Sequence, residues 1–216
     1  MIIFAIYYYR RQQALKLEKL RNTISTDLHD DIGSTLSSIS ILSEMTLKTQ
    51  DSQHSAEMVQ EIKTNSVALM EKMDDIVWSI NPKNDSLENL MLRIKRFASK
   101  LFEAKGIDYS IEIDEAINHM KLSMEYRQHI YLILKEAINN LVKYAACSHA
   151  SIAVQYKNDM LHVNVRDNGC GFHLQGASLG TGISSMYHRA KLMEAKLVIR
   201  STPKEGTNVS LQVKIK

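Results

Sequence analysis

Apolar residues recur at helical spacing through the first part of the chain. From about Gln12 to Gln50 they lie about 3.6 residues apart on average, which predicts one long helix with a single buried stripe. The stripe consists of Ile24, Leu28, Ile32, Leu36, Ile39 and Leu42. The polar run from Asp51 to His54 predicts a turn after this helix.

A second helix is predicted after the turn, with apolar positions in alternating steps of three and four residues. This heptad seam consists of Val59, Ile62, Ser66, Leu69, Met73, Ile76 and Ile80. Each helix has only one good apolar face, so a hairpin of the two cannot close a core alone. The pattern therefore predicts a dimeric four-helix bundle. Asn81 and Pro82 end the second helix.

Beyond Pro82 the pattern becomes mixed, which predicts a separate α+β domain. A helix restarts near Leu87, with Asp85 and Glu88 in capping-box spacing, and ends at Gly106. Alternating and helical segments then succeed one another. The predicted strands are 107–113, 150–156, 161–166, 197–201 and 207–214, and the predicted helices are 124–146 and 183–194. We expect three segments: 1–17, 18–82 and 83–216, with a hinge between Asn81 and Asp85.

The N-terminal run MIIFAIYYY, followed by Arg10 and Arg11, is too short to cross a bilayer. Its tyrosines and following positive charges fit the cytoplasmic end of a membrane helix. We therefore expect residues 1–17 to be the end of a membrane helix or a linker helix, with a membrane or sensor region upstream and the rest of the chain in the cytoplasm. A helix that packs on a partner is the alternative.

The composition argues against several classes of protein. The chain has 216 residues, 44% apolar, and a net charge of +3, so it gives no support for a dedicated nucleic-acid partner. Its two cysteines, Cys147 and Cys170, make a disulfide scaffold or a cysteine zinc site a poor fit.

His29 is a candidate nucleophile because it lies beside the apolar stripe, next to two carboxylates. Leu28 and Ile32 hold the stripe, so His29 lies roughly 100° away from it. A carboxylate such as Asp30 can accept from one ring nitrogen and leave the other free to react. The alternative for an exposed histidine beside acids is a solvated helix face.

The predicted helix KEAINNLVKYA carries Glu136, Asn140 and Lys143 as a polar stripe. An asparagine oxygen suits Mg²⁺, a lysine suits phosphate, and a glutamate suits a base or a water-positioning group. The alternative is again a solvated face.

Two glycine-rich segments follow. Asp167 begins DNGCGF directly after a strand, where it can accept from an adenine amino group, and Gly169 and Gly171 allow close backbone approach to a ligand. The run Leu179-Gly180-Thr181-Gly182-Ile183 opens a helix, whose N–H groups suit a phosphate. Each alone is equally compatible with an ordinary turn.

Taken in order, HDDIGSTLSSI, KEAINNLVKY, DNGCGF, GTGI and Gly206-Thr207 resemble the boxes of two-component sensor histidine kinases. The similarity runs from about Glu18 to the C-terminus and is greatest with the short-lid NarX-like and DesK-like kinases. It implies a helical dimerisation domain followed by an ATP-binding α/β sandwich of the gyrase and histidine kinase type.

The resemblance also implies roles. His29 would be the phosphoacceptor, Asp30 the acid that orients or deprotonates it, and Asn140 the Mg²⁺ ligand with Glu136 and Lys143 nearby. Asp167 would recognise the adenine of ATP. The remaining residues implied to shape the nucleotide site are Tyr144, Gly169, Gly171, Gly180, Thr181, Gly182 and Thr207. The implied partners are a second copy of the chain and the receiver domain of a response regulator.

Two residues depart from the pattern. Ser34 stands where many relatives carry a glutamine used to dephosphorylate the regulator, which puts phosphatase activity in doubt. Tyr144 stands where a histidine is common. Two other functions remain open: a related ATPase or protein-serine kinase, and a catalytically silent dimeric relay.

Overall fold

The computed structural model describes Phe4, Tyr7, Tyr8, Arg11 and residues 32–49, 51–118, 120–173 and 180–215. The chain divides into two compact units, Met1–Ile80 and Asn81–Lys216. The predicted phosphoacceptor His29, its neighbour Asp30 and most of the 1–17 segment lie outside the described residues. No helix among the described residues is long and apolar enough to cross a membrane.

The first unit contains the second predicted helix and, within the described residues, the later part of the first. Residues 32–48 are helical (α1), and Ser52–Ile80 forms α2. The predicted turn is shorter than expected, because Asp51 acts as a cap. Its Oδ1 accepts from the backbone N–H of Gln53 at 2.9 Å and of His54 at 3.4 Å. The capped N–H groups let α2 begin at Ser52, inside the segment predicted as a turn.

The predicted seam of α2 divides between two faces. Ile62, Leu69 and Ile76 are shielded within the single chain, whereas Val59 and others on the same seam are exposed. Five of the exposed apolar side chains form a stripe within roughly 80° of the helix surface. They are Val59, Met70, Met73, Val77 and Ile80. Two neighbouring apolar faces on one helix are what a four-helix bundle requires, since each helix packs against two others.

The second unit is an α+β sandwich. Its elements are α3 (Leu87–Lys105), β1 (Asp108–Ile113), α4 (Met124–Tyr144), β2 (His149–Lys157), β3 (Met160–Asp167), α5 (Thr181–Leu192), β4 (Lys196–Thr202) and β5 (Gly206–Lys214). The strands form one sheet in the order β1-β2-β3-β5-β4. β1 and β2 run parallel, and the other neighbours run antiparallel.

One face of the sheet forms the core with the three helices. Alternate residues of the strands are buried on this face, as the alternating sequence pattern predicts. They are Ala150, Ile152, Val154, Leu161, Val163, Val165, Leu197, Ile199, Val209, Leu211 and Val213. α4 contacts α3, α5 and β3. α4 is therefore the central helix of this unit, and its C-terminal half lies beside the segments DNGCGF and GTGI.

The cap of α3 differs from the prediction. Ser86, not Asp85, is the N-cap, and its hydroxyl accepts from the backbone N–H of Asn89 at 3.1 Å. Asp85 instead pairs with Arg127, so the capping-box prediction for Asp85 and Glu88 was wrong. Gly106 ends the helix as expected, with the positive φ of 65° that glycine tolerates best.

A half-buried histidine lies where α4 faces α5. Burial, together with the nearby Arg189 and His188, lowers the pKa of His129 from 6.5 to about 4. Its Nδ1 is buried without a hydrogen-bond partner in the described structure. At neutral pH His129 is therefore uncharged, and it packs between the two helices as a nearly apolar side chain.

The exposed stripe of α2 generates the first prediction. Met70 is 66% exposed and Val77 is 60% exposed, and burying such a side chain contributes roughly 1.5–3 kcal/mol. We expect the chain to be a dimer in light scattering, and Val77→Glu to shift it to monomers. Leu69→Glu is a poorer test, because Leu69 is already shielded within one chain.

Gln60→Glu is the matched control, since it adds the same charge at an exposed position about 100° away from the stripe. This variant should remain dimeric. A well-folded monomer for the unmutated chain would contradict the four-helix bundle.

Candidate functional site

A cavity of about 590 Å³ lies over the C-terminal half of α4 in the second unit. Its walls come from α4, the end of β3, the start of α5, and strands β4 and β5. Ten residues predicted from sequence line it: Glu136, Asn140, Lys143, Tyr144, Asp167, Gly171, Gly180, Thr181, Gly182 and Thr207. The fold therefore brings four motifs that are far apart in sequence to one place.

The polar stripe of α4 is organised by a hydrogen bond between two of its members. Asn140 Nδ2 donates to Glu136 Oε1 at 3.1 Å, one helical turn away. This bond uses the amide nitrogen and leaves the carbonyl oxygen of Asn140 as an acceptor for a cation. Among the described residues, no group of three or more His, Cys, Asp and Glu could hold a metal alone. A cation here would need oxygens from a bound phosphate as well.

Lys143 and Tyr144 stand at the exposed end of α4. Lys143 is exposed, and in the described part of the chain no carboxylate pairs with its ammonium group. A free cation at the rim of a cavity favours an anionic ligand. Tyr144 is 70% exposed, and its carbonyl oxygen accepts from Cys170 Sγ at 3.2 Å.

Asp167 is the buried carboxylate of the site, with only 5% of the residue exposed. Its Oδ1 accepts from the backbone N–H of Gly169 at 2.8 Å and of Thr207 at 3.3 Å. These two bonds hold the carboxylate at the end of β3 and satisfy one oxygen. The second oxygen is left as an acceptor for a donor such as an amino group.

The turn after β3 is tied to the hairpin between β4 and β5. Phe172 N–H donates to Ser201 Oγ at 2.8 Å, and Ser201 Oγ lies 2.9 Å from Thr207 Oγ1. Sequence reasoning missed Ser201, because a serine inside a strand gives no signal of such a link.

Several other lining residues were not predicted as part of a site. They are Asn139, Cys170, Phe172, Ile183, Met186, Val165, Ile199 and Val209, among others. Most are apolar, and their sequence pattern indicates only core positions of strands and helices. They give the cavity an apolar wall beside its polar groups, which is how small-molecule sites are commonly built.

The structure separates the predicted glycines into two kinds. A Cβ on Gly169 would lie 2.1 Å from the carbonyl oxygen of Ala145, and one on Gly171 would lie 2.0 Å from that of Thr202. A Cβ on Gly182 would lie 1.9 Å from Glu136 Oε1, so glycine lets α5 approach the glutamate. A Cβ on Gly180, in contrast, would meet nothing within 4 Å.

The start of α5 lines the cavity through Gly180, Thr181 and Gly182. Gly180 occupies the N-cap without a side-chain cap, and the first turn contains no acidic residue. α5 therefore contributes no carboxylate of its own at its start, although Glu136 of α4 lies against Gly182. Backbone N–H groups at a helix start favour an anion such as phosphate.

Neither cysteine of this region looks like a nucleophile. Burial raises the pKa of the Cys147 thiol, and the nearby Asp167 carboxylate raises it further. The thiolate is therefore scarce at neutral pH. Cys170 donates through its sulfur to the carbonyl of Tyr144.

The glycine geometry generates the second prediction. Gly169→Ala should destabilise the protein by about 1–3 kcal/mol, because the new methyl group meets a backbone carbonyl that cannot move easily. Gly180→Ala is the control and should stay within about 0.5 kcal/mol of the unmutated chain. Urea unfolding followed by circular dichroism measures both. Equal stability of the two variants would contradict the close approach seen at Gly169.

Comparisons with known families agree with this geometry. Residues 125–216 match the family described as histidine kinase-, DNA gyrase B- and HSP90-like ATPase. Residues 21–85 match a histidine kinase family, and this range contains His29 and Asp30. Together the two matches cover most of the chain.

Individual relatives are distant but similar over nearly the whole chain. YhcY, a sensor histidine kinase of Bacillus subtilis, is 26% identical, over 96% of this chain and 53% of its own length. DegS of Brevibacillus brevis, a signal transduction histidine-protein kinase/phosphatase, is 22% identical, over 92% of this chain and 52% of its own. The chain thus spans about half the length of these curated relatives.

A solved structure shows the same fold. The histidine kinase domain of the blue-light activated histidine kinase from Erythrobacter litoralis EL346 superposes with a TM-score of 0.56 at 14% identity, covering 85% of this chain and 94% of that one. From the two family matches and the order of its motifs, the chain belongs to the two-component sensor histidine kinases, in the NarX-like and DesK-like group.

Proposed function

We propose that the chain is the kinase core of a two-component sensor, which phosphorylates itself on His29 from ATP and passes the phosphoryl group to an aspartate of a response regulator. The observation that carries this proposal is the convergence of Glu136, Asn140 and Asp167 on one cavity. A histidine kinase family match over residues 21–85, which include His29, supports the phosphoacceptor.

The adenine is expected at the closed end of the cavity. Asp167 is buried and keeps one carboxylate oxygen for the adenine amino group, while Ile199 and Val209 offer apolar surface to the ring. Thr207 lies on the same wall, where its backbone N–H holds Asp167 in position. Recognition of the base therefore depends on β3 and β5.

The phosphates are expected between α4 and the start of α5. Lys143 supplies a cation, and the α5 N–H groups supply donors. The carbonyl oxygen of Asn140 is the residue atom that would hold Mg²⁺, and its orientation is fixed by the bond to Glu136. When bound, Mg²⁺ neutralises charge on the phosphates.

Phosphoryl transfer itself needs a neutral histidine. The reference pKa of histidine is about 6.5, so most of an unperturbed imidazole is in the neutral, nucleophilic form at neutral pH. We assign Asp30 the role of orienting or deprotonating His29, with Glu136 positioned beside Asn140 to assist at the nucleotide. Transfer then depends mainly on bringing His29 and the γ-phosphate into line.

The assembly of the whole protein is also proposed. The exposed stripe of α2 supports a homodimer, and the receiver domain of a response regulator is the expected partner. The relatives are about twice as long as this chain, which fits a core attached to a sensor or membrane region and working in the cytoplasm. Ser34 argues against assigning it the phosphatase half of the activity named for DegS.

His29→Gln is the third prediction. It should abolish autophosphorylation while ATP binding stays within about twofold, because glutamine keeps a polar side chain but offers no nucleophilic nitrogen. The measurement is incorporation from γ-labelled ATP with Mg²⁺, followed by treatment with acid and base. A phosphohistidine label should be lost in acid and stable in base.

His54→Gln is the matched control, since His54 is an exposed histidine in α2. That variant should label normally. A label that survives acid and is lost in base would indicate serine chemistry, and a label lost in both would indicate an aspartyl phosphate. Either result would refute His29 as the acceptor.

Asp167→Asn and Asn140→Asp form the fourth prediction. Asp167→Asn should weaken ATP binding about tenfold or more, since a hydrogen bond to a charged group contributes about 1.5–3 kcal/mol. Asn140→Asp replaces the neutral ligand and should lower turnover more than affinity for the base. Isothermal titration with ATP and with ADP measures the affinity of each variant, and incorporation from γ-labelled ATP measures its turnover. Circular dichroism checks that each variant is folded.

Asn139→Asp offers a comparison for Asn140, because it makes the same change at the neighbouring position of the same cavity. It should affect turnover less, since Asn140 alone makes the bond to Glu136. Unchanged nucleotide affinity and labelling in both Asp167→Asn and Asn140→Asp would remove these residues from the site.

A further inference from the structure

The segment that leads into the second unit is fastened to that unit by backbone bonds. Leu122 N–H donates to the carbonyl of Asp85 at 2.7 Å, and Leu87 N–H donates to the carbonyl of Met120 at 2.8 Å. Between these bonds, Ser86 and Lys121 form an antiparallel bridge. The chain around Asp85 is thus paired with a segment that is distant in sequence and immediately precedes α4.

A buried charge pair strengthens this attachment. Arg127 lies in the first turn of α4 with its side chain fully buried, and its guanidinium donates to Asp85 Oδ1. The Asp85 side chain is 47% exposed, so the pair lies at the edge of the core. A buried guanidinium is costly unless a charged acceptor pairs with it. This cost makes Asp85 the group that Arg127 requires in this position.

The same helix carries the nucleotide site. Asn140 follows Arg127 by thirteen residues, or about 20 Å along α4. A helix of this length behaves as a rigid rod. Asp85 and the groups that contact ATP are therefore parts of one rigid body.

We propose that Arg127 is a positioning residue for phosphotransfer: it holds Asp85 on α4, so that only Asn81–Asn84 joins α2 to the ATP-binding unit. This inference rests on the proposed function, because the phosphoryl group must pass from ATP to His29. It narrows the hinge predicted between Asn81 and Asp85 to the residues that precede Asp85.

The short joint is itself ordered. Asn81 caps a turn of 3₁₀ helix, Pro82–Asn84, and its side chain accepts from Lys83 N–H at 3.0 Å. Asn89 Nδ2 of α3 donates to the carbonyl of Lys83 at 3.1 Å. A short and ordered joint keeps the γ-phosphate at a high effective concentration near its acceptor. A longer and looser joint lowers that concentration without touching the ATP site.

The test is the double variant Asp85→Ala/Arg127→Met in the full chain, which removes both charges of the pair together, so that neither is left without the other. The initial rate of autophosphorylation at saturating ATP should fall about fivefold or more, because small misplacements are costly. The KM for ATP should stay within about twofold. The single variant Asp85→Glu, which keeps the carboxylate and Arg127, should retain most of the autophosphorylation rate of the unmutated chain.

Trypsin gives a readout that does not depend on activity. Lys83 is exposed within the joint, and cleavage after it should become about fivefold faster in the double variant. Cleavage after Lys204, in the exposed turn between β4 and β5, serves as the internal control and should not change. If cleavage after Lys83 is not faster in the double variant, or if cleavage at both sites becomes faster to the same extent, the proposal that Arg127 holds Asp85 on α4 is wrong.

Asp114→Ala is the matched control for the kinetics. Asp114 is a carboxylate of the same unit that caps a different turn, where it accepts from Ala116 N–H at 2.9 Å. Its variant should phosphorylate at the normal rate, and an equal loss of rate there would overturn a specific role for Arg127. If the unmutated chain fails to autophosphorylate, the proposed function fails, and the trypsin result still decides whether Arg127 holds the joint.

Discussion

The proposed nucleotide site depends on one carboxylate oxygen. Oδ1 of Asp167 accepts from Gly169 N–H and from Thr207 N–H, and so joins the end of β3, the glycine turn after it and the start of β5. A buried carboxylate is costly unless it is hydrogen-bonded, and these two backbone donors satisfy that need. The turn must then pass so close to Ala145 that only glycine fits at position 169. The close contact in turn fixes where α4 ends.

The other wall of the cavity follows from the position of α4. Because α4 contacts α3, α5 and β3, its free surface is limited to the C-terminal part of one stripe, where Glu136, Asn140 and Lys143 lie. α5 can approach that stripe because Gly182 has no side chain to meet Glu136. Packing thus decides which polar groups of α4 face a ligand, and the sequence spacing of the polar residues decides which chemistry they offer.

Much of this could be predicted from the sequence, because period and spacing are local properties. The alternation in β2, β3 and β5 located the core face, and the i, i+4, i+7 stripe located the polar groups of α4. What could not be predicted depends on partners distant in sequence. Asp85 has capping-box spacing, yet Arg127, 42 residues away, takes its carboxylate and leaves the cap to Ser86. Ser201 joins Phe172 for a similar reason.

The seam of α2 shows the same limit on a larger scale. A heptad pattern states that a helix has an apolar side, but it does not state how many partners share that side. The structure shields Leu69 within one chain and leaves Met70 and Val77 exposed, so one apolar sector contains both packed and uncovered side chains. The packed and the exposed apolar residues of α2 recur at almost the same spacing, so the sequence period alone does not distinguish the two sets. Only the packing of one chain separates the residues that stabilise the hairpin from those available to a second copy.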